Sequence, residues 1–220
     1  MKQKQWLGIL LAGIMMLSGC TNPSPQEAAT EVTNPAQLSE HDLVCLEYSS
    51  FTGAFPEDGT GRGVQNVAAM LIRNDSGKFL DYALVVCDIG QGSGTFKVTG
   101  LPAGESVWVL EQTGKTLAPQ DRFEVSKCEE YVFRSDAVET TDKLSVKVNN
   151  GHITVTNTSQ ETLENVCLYY KIRHSDGNFF GGITYMLGFD TMKPGSSVQK
   201  QSGHFGTGAE IVRYSFQTVS

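Results

Sequence analysis

Four histidines (His41, His152, His174 and His204) and five cysteines are the residues of this 220-residue chain best suited to hold a metal or attack an electrophile. A zinc site needs several His, Cys or carboxylate ligands, most often at short repeated spacings. None of the histidines has such a spacing. His174-Ser175-Asp176 comes nearest, with two potential ligands, and reads instead as a solvated approach to a hairpin turn. There is no Gly-x-Ser-x-Gly elbow for acyl transfer and no Cys-x-x-Cys for thiol–disulfide exchange. The glycine clusters GTGRG (59–63) and GQGSG (90–94) imitate phosphate loops. A phosphate loop needs a following helix whose first amides bind the anion, but VQNVAAMLI and TFKVTG follow here, and both read as strands. The sequence therefore assigns no catalytic residue, no metal ligand and no cofactor.

The cysteines carry other chemistry. Beyond Cys20 there are Cys45, Cys87, Cys128 and Cys167. An even count in an exported chain allows two disulfides, with three connectivities. Cys45 and Cys128 sit on an early and a late strand of the same half, so Cys45–Cys128 is the expected bridge; four thiols are the alternative. Cys87 falls in an inward row and reads as a small buried apolar group. Cys167 is offset by one face from the equivalent row. The stretch SDGNFFGGITYMLGF (175–189) concentrates aromatics. Adjacent residues on a strand face opposite ways, so Phe179 and Phe180 cannot both enter one core. Phe179, Phe180 and Tyr185 are therefore the candidate binding surface, since exposed aromatics anchor interfaces. The competing reading packs one phenylalanine in a core and the other beneath a loop or the first half. Trp108, in LPAGESVWVL, is expected in the core.

The elements that position these residues follow from the hydropathy pattern. Lys2 and Lys4 precede an uncharged run from Trp6 to Met16, the form of a secretory signal. The run is shorter than the ~20 apolar residues of a spanning helix. It ends on Leu17-Ser18-Gly19-Cys20, which resembles the signal motif of bacterial lipoproteins. That resemblance implies cleavage after residue 19 (the signal being 1–19), diacylglyceryl attachment to the Cys20 thiol, and attachment to the extracytoplasmic face of a cell membrane. Residues 20–40 then hold three prolines and no aromatic. They cannot bury enough apolar surface to fold and read as a disordered tether reaching roughly 25 Å.

The remainder repeats. MLIRNDSGKFLDYALVVCDI (70–89) aligns without a gap on ITVTNTSQETLENVCLYYKI (153–172). Asn74 meets Asn157, Ser76 meets Ser159, Leu80 meets Leu163 and Ile89 meets Ile172. AGESVWV (103–109) then meets PGSSVQK (194–200). Ile153 and Val155 alternate with threonines, as do Val166, Leu168, Tyr170 and Ile172 with their neighbours, which is the period of half-buried strands. Asn-x-Ser between strands is turn chemistry; glycosylation of the same tripeptides is the weaker reading. Short strands with regularly spaced turns predict an all-β chain of two tandem immunoglobulin-like β-sandwiches, residues 41–137 and 141–220. Their boundary is expected in the polar segment RSDAVETTDK (134–143). The turns Asn157-Thr158-Ser159, Asp176-Gly177 and Pro194-Gly195, with Leu168-Tyr169-Tyr170, resemble the FxLYD-type domains of bacterial lipoproteins. This implies an extracytoplasmic sandwich with no assigned activity.

A formal charge of −7, more negative still once Lys2 and Lys4 leave with the signal, argues against nucleic acid as a partner. The expected function is a non-enzymatic binding or scaffolding module, held to the membrane by its N-terminal lipid and recognising an envelope protein or exported ligand. The alternatives are a structural spacer in an envelope assembly and a hydrolase whose site is assembled from distant residues.

Overall fold

Apolar–polar alternation produces strands along nearly the whole described chain. The computed structural model describes residues 41–220, except 91, 119, 120, 150, 207 and 220. The signal run, Cys20 and the tether lie outside the described residues. The protein is all-β: among the described residues there are twelve strands and no helix. They are β1 (Leu43–Ala54), β2 (Gly63–Asn74), β3 (Phe79–Ile89), β4 (Ser93–Leu101), β5 (Ser106–Leu110), β6 (Phe123–Arg134), β7 (Leu144–Asn149), β8 (His152–Asn157), β9 (Thr162–Arg173), β10 (Phe179–Phe189), β11 (Ser197–Gln201) and β12 (Ala209–Val219).

Three sheets form, with orders β1-β2-β5-β10-β9-β12, β4-β3-β6 and β11-β8-β7. Two main cores lie between them. The first joins inward residues of β1, β2 and β5 (Cys45, Met70, Ile72, Val107, Val109) to those of β3 and β4 (Val85, Cys87, Phe96, Val98). The second joins β9 and β10 (Val166, Leu168, Tyr170, Phe189) to β7 and β8 (Leu144, Ile153, Val155). Strand order repeats along the chain: β1-β2-β5 over β4-β3-β6 becomes β7-β8-β11 over β10-β9-β12. The six-stranded sheet arises because β5 of the first half pairs in parallel with β10 of the second, Val107 opposite Phe179 and Trp108 opposite Phe180.

The two Asn-x-Ser turns are built alike. Asn74 is wholly buried; its Nδ2 donates to the carbonyls of Lys78 (2.8 Å) and Leu101 (3.0 Å), and its Oδ1 accepts from Ser76 N (3.1 Å) and Oγ (2.6 Å). Asn157, equally buried, donates to Glu161 O (2.8 Å) and Met192 O (2.9 Å) and accepts from Ser159 N (2.9 Å) and Oγ (2.7 Å). Each asparagine thus ties its own turn to a distant segment and satisfies backbone groups that would otherwise be buried unpaired. Neither amide is accessible to a glycan in the folded chain.

All four described cysteines are thiols, so the expected Cys45–Cys128 bridge is not formed. Cys45 lies on β1, an edge of the six-stranded sheet, whereas Cys128 lies on β6, at the edge of the opposing sheet beside Val85. Each thiol turns to a nearby backbone carbonyl instead, Cys45 toward Glu47 (3.6 Å) and Cys128 toward Glu130 (3.3 Å). Burial pushes the Cys45 thiol up to about 12, which leaves it a poor nucleophile at neutral pH. Cys87 is fully buried, as the inward row requires.

Candidate functional site

The outer face of β1-β2-β5-β10 carries a third, smaller apolar cluster. Phe55, Val67, Ala69 and Leu110 are buried there, with Phe51, Val64, Trp108 and Phe180 packed against them. The loop 55–62 folds over one end of this face. Asp58 braces that loop by accepting from Thr60 Oγ1 (2.6 Å) and Arg62 Nε (3.0 Å), and the Arg62 guanidinium lies 4.6 Å from the Phe55 ring centre.

Where the loop stops, an open cleft of about 210 Å³ remains. Strand register explains its shape. Ser49, Ala69 and Leu110 lie in one cross-strand row, and Leu71, Trp108 and Phe180 in another. The small side chains of Ser49 and Ala69 make a low floor, and the aromatic rings of Phe51, Trp108 and Phe180 rise around it. Phe51 and Phe180 meet with ring centres 4.8 Å apart and planes at 51°. The β9–β10 hairpin supplies the polar rim, His174 and Asp176. Trp108 Nε1 donates to Asp176 Oδ2 at 2.8 Å and so ties the first half to the second.

Burial acts to raise the Asp176 carboxyl, but donation from Asn178 N and Trp108 Nε1 outweighs it, so the group lies below its ordinary value and is ionised at neutral pH. His174 Nδ1 stands 3.7 Å from Asp176 Oδ1, beyond hydrogen-bond reach. Neither Ser49 nor Ser50 is bonded to His174, so a nucleophile–base–carboxylate relay is not assembled here. Among the described residues no group of three or more His, Cys, Asp or Glu is placed to hold a metal ion.

The sequence-derived surface residues separate. Phe180 lines the cleft. Phe179 is fully buried in the first core, under the Arg173 guanidinium at 4.1 Å. Tyr185 packs on the second core, stacked between Tyr170 (5.3 Å) and His204 (4.9 Å). Trp108, expected in the core, is half-buried on the outer face, because Val107 and Val109 take the inward positions of β5. His174 and Asp176 read in sequence as a solvated turn; the parallel β5–β10 ladder is what brings that turn beside Trp108. Phe51 carried no signal of its own.

Beyond Phe180 lie two further charged groups, the fully buried Lys171 and the half-buried Glu57. Residues 181–184 leave the β9–β10 ladder, and Lys171 and Glu57 occupy the gap. Lys171, with no exposed surface, donates from Nζ to Ile183 O (2.8 Å) and Thr99 O (3.0 Å). Glu57 accepts from Gly182 N (2.9 Å) and Leu110 N (2.8 Å). Burial lowers the Lys171 ammonium to about 7, opposed by the Glu57 charge. Burial also raises Glu57, opposed by its backbone donors. Strand alternation places Lys171 outward from the second core. Its burial comes from the first half, which covers that face.

Compared with known proteins, the chain matches no protein-family model and no curated protein.

Proposed function

We propose that this is a lipid-anchored, extracytoplasmic envelope protein of two tandem immunoglobulin-like sandwiches, and that it works as a non-enzymatic recognition module. The observation that carries the recognition reading is the cleft ringed by Phe51, Trp108 and Phe180, with Asp176 at its rim. Ligand sites combine apolar and aromatic walls with a few placed polar groups, and tryptophan in particular is enriched among binding hot spots. The anchoring reading rests on the Leu17-Ser18-Gly19-Cys20 motif and the proline-bearing tether.

Crosslinking in intact cells tests the recognition reading, comparing the full-length protein with Phe180→Ser and with Tyr131→Ser, a change at an exposed residue of β6. An envelope component captured by the native chain and by Tyr131→Ser, but lost with Phe180→Ser, is the expected result. Equal capture by all three removes the cleft from the function. A Cys20→Ala chain is expected to leave the membrane fraction and lose acyl labelling. The spacer reading is favoured by one observation, the continuous six-stranded sheet across both halves. It predicts that Phe180→Ser leaves envelope integrity intact while deletion of the protein does not.

A further inference from the structure

We infer that the cleft takes an organic cation, specifically an alkylated ammonium group, a deduction that rests on reading the cleft as a recognition site. Three rings converge on it: Phe51, Trp108 and Phe180. Phe51 and Phe180 meet as a corner of two tilted planes, so a group seated there contacts ring faces rather than one flat platform. Aromatic faces carry negative electrostatic potential and attract cations, Trp most strongly. The Asp176 carboxylate, fixed by Trp108 Nε1 at 2.8 Å and Asn178 N at 2.9 Å, adds a full negative charge at the rim.

No lysine or arginine lines the cleft, so its field favours a positive ligand and opposes an anionic one. Alkylated ammonium suits these walls because its charge is spread over methyl groups that neither need hydrogen bonds nor hold water tightly. A primary amine would have to give up strong hydration for rings that cannot accept its N–H groups well. The floor of Ser49, Ser50 and Ala69 is uncharged and low, and leaves space for a single head group. A neutral sugar would need more converging side-chain donors and acceptors than His174 and Asp176 provide.

Trp108 makes the test direct, because Trp6 is the only other tryptophan. Full-length protein carrying Trp6→Phe, in a polyoxyethylene detergent free of sugar or choline head groups, would be titrated by fluorescence. The probes are choline, tetramethylammonium, 3,3-dimethylbutan-1-ol (the uncharged carbon isostere of choline) and glucose. Both cations are expected to give saturable changes, with the isostere at least tenfold weaker and glucose silent. Asp176→Asn keeps acceptors for Trp108 and Asn178, and is expected to weaken choline at least fivefold without altering the isostere. Phe180→Leu, which keeps an apolar side chain in the sheet, is expected to weaken both cations. Isostere binding equal to choline, or glucose binding in place of the cations, overturns the cation assignment while leaving a recognition cleft. Silence from all four overturns the assignment as well, and the crosslinking experiment then decides separately whether the cleft recognises anything.

Discussion

Strands β4 and β10 hold equivalent places in the two halves, and they behave differently. β4 keeps its ladder with β3 from Leu80–Leu101 to Asp88–Ser93 without a shift. β10 pairs with β9 at Phe179 and Phe180, leaves the ladder over 181–184, and resumes at Tyr185. The residue aligned with Lys171 in the first half is Asp88, which is exposed. Phe179 and Phe180 pair with β5 on one side and with β9 on the other, so the two halves are joined at the start of β10, just before its ladder with β9 breaks. Backbone groups of residues 182 and 183 are then met by Lys171, Glu57 and Thr99. In this copy of the repeated unit the connector carries a ladder irregularity, two glycines and a buried lysine together.

Gly182 is where this difference is most fragile. A Cβ there would sit 1.8 Å from the Lys97 carbonyl oxygen and 2.9 Å from Val109. Gly182→Ala is expected to cost about 4 kcal/mol or more, since backbone of β4 cannot retreat without losing its own pairing. Gly63→Ala, where nothing lies within 4 Å of the added carbon, is expected to stay within about 0.5 kcal/mol. Urea unfolding of the two variants measures the contrast. Equal, small effects would mean that the junction is not packed as described.

The two charged groups under the bulge rank next. Lys171→Met removes the ammonium and Glu57→Gln removes the negative charge that opposes its neutralisation. Each single change is expected to cost about 2–3 kcal/mol, because Lys171→Met strands the Thr99 and Ile183 carbonyls and Glu57→Gln weakens the bonds to Gly182 N and Leu110 N. The double variant is expected to lose clearly less than the sum, and that shortfall, read from a double-mutant cycle, measures the coupling across the junction. Simple additivity would show that the two groups act only on the backbone of residues 181–184.

The asparagine turns sharpen the likeness rather than the difference. Asn74→Ala and Asn157→Ala each remove buried donors and an acceptor and strand several carbonyls. Each is expected to cost about 2–3 kcal/mol, and the two losses should agree closely if the turns are energetically as well as geometrically repeated. A loss confined to one half would mean that the second clamp is redundant with its surroundings. Ser76→Ala and Ser159→Ala, at more exposed positions, are expected to show the same equality at smaller size.

Strands, turns and the repeat were legible because each is local. Alternation at Ile153 and Val155 states a strand wherever it lies, and Asn-x-Ser states a turn. The all-β class followed from these. The cleft was only half legible: Phe180 stood out by its glycine-spaced aromatic neighbourhood, whereas Asp176 meets Trp108, and Phe180 meets Phe51, only through the β5–β10 pairing, which joins residues about seventy positions apart. Lys171 was hidden for the same reason. Alternation places it away from its own core, and no local pattern says that the other half will cover it. The thiol pair failed on local geometry: β1 and β6 do face each other, with Tyr48 stacked on Phe123, but each thiol turns to a carbonyl of its own strand.

The smallest expected effect concerns pH, and it again separates the two halves. In the folded chain Lys171 is lowered to about 7 by burial, while in the unfolded chain it titrates near 10.4. Between those values the unfolded chain holds a proton that the folded chain has released, so stability rises with pH across that window. Glu57 acts in the opposite sense at lower pH. Its folded value is raised by burial, so the stability it contributes is full below the ordinary carboxylate range and is lost as pH climbs through its folded value. The two slopes have opposite signs. One titrating lysine sets a ceiling of about 1.4 kcal/mol per pH unit, and the four oxygens around Lys171 Nζ, from Thr99, Gly182, Ile183 and Thr184, favour the charged amine. A gain of about 1–2 kcal/mol between pH 7 and 9 is therefore expected. Denaturant midpoints measured at pH 7, 8 and 9 check it, with Lys171→Met as the reference. The native chain should gain on the variant over this interval, and parallel curves would place the titration of Lys171 outside it, with the ammonium held charged by its oxygen cage and the Glu57 carboxylate.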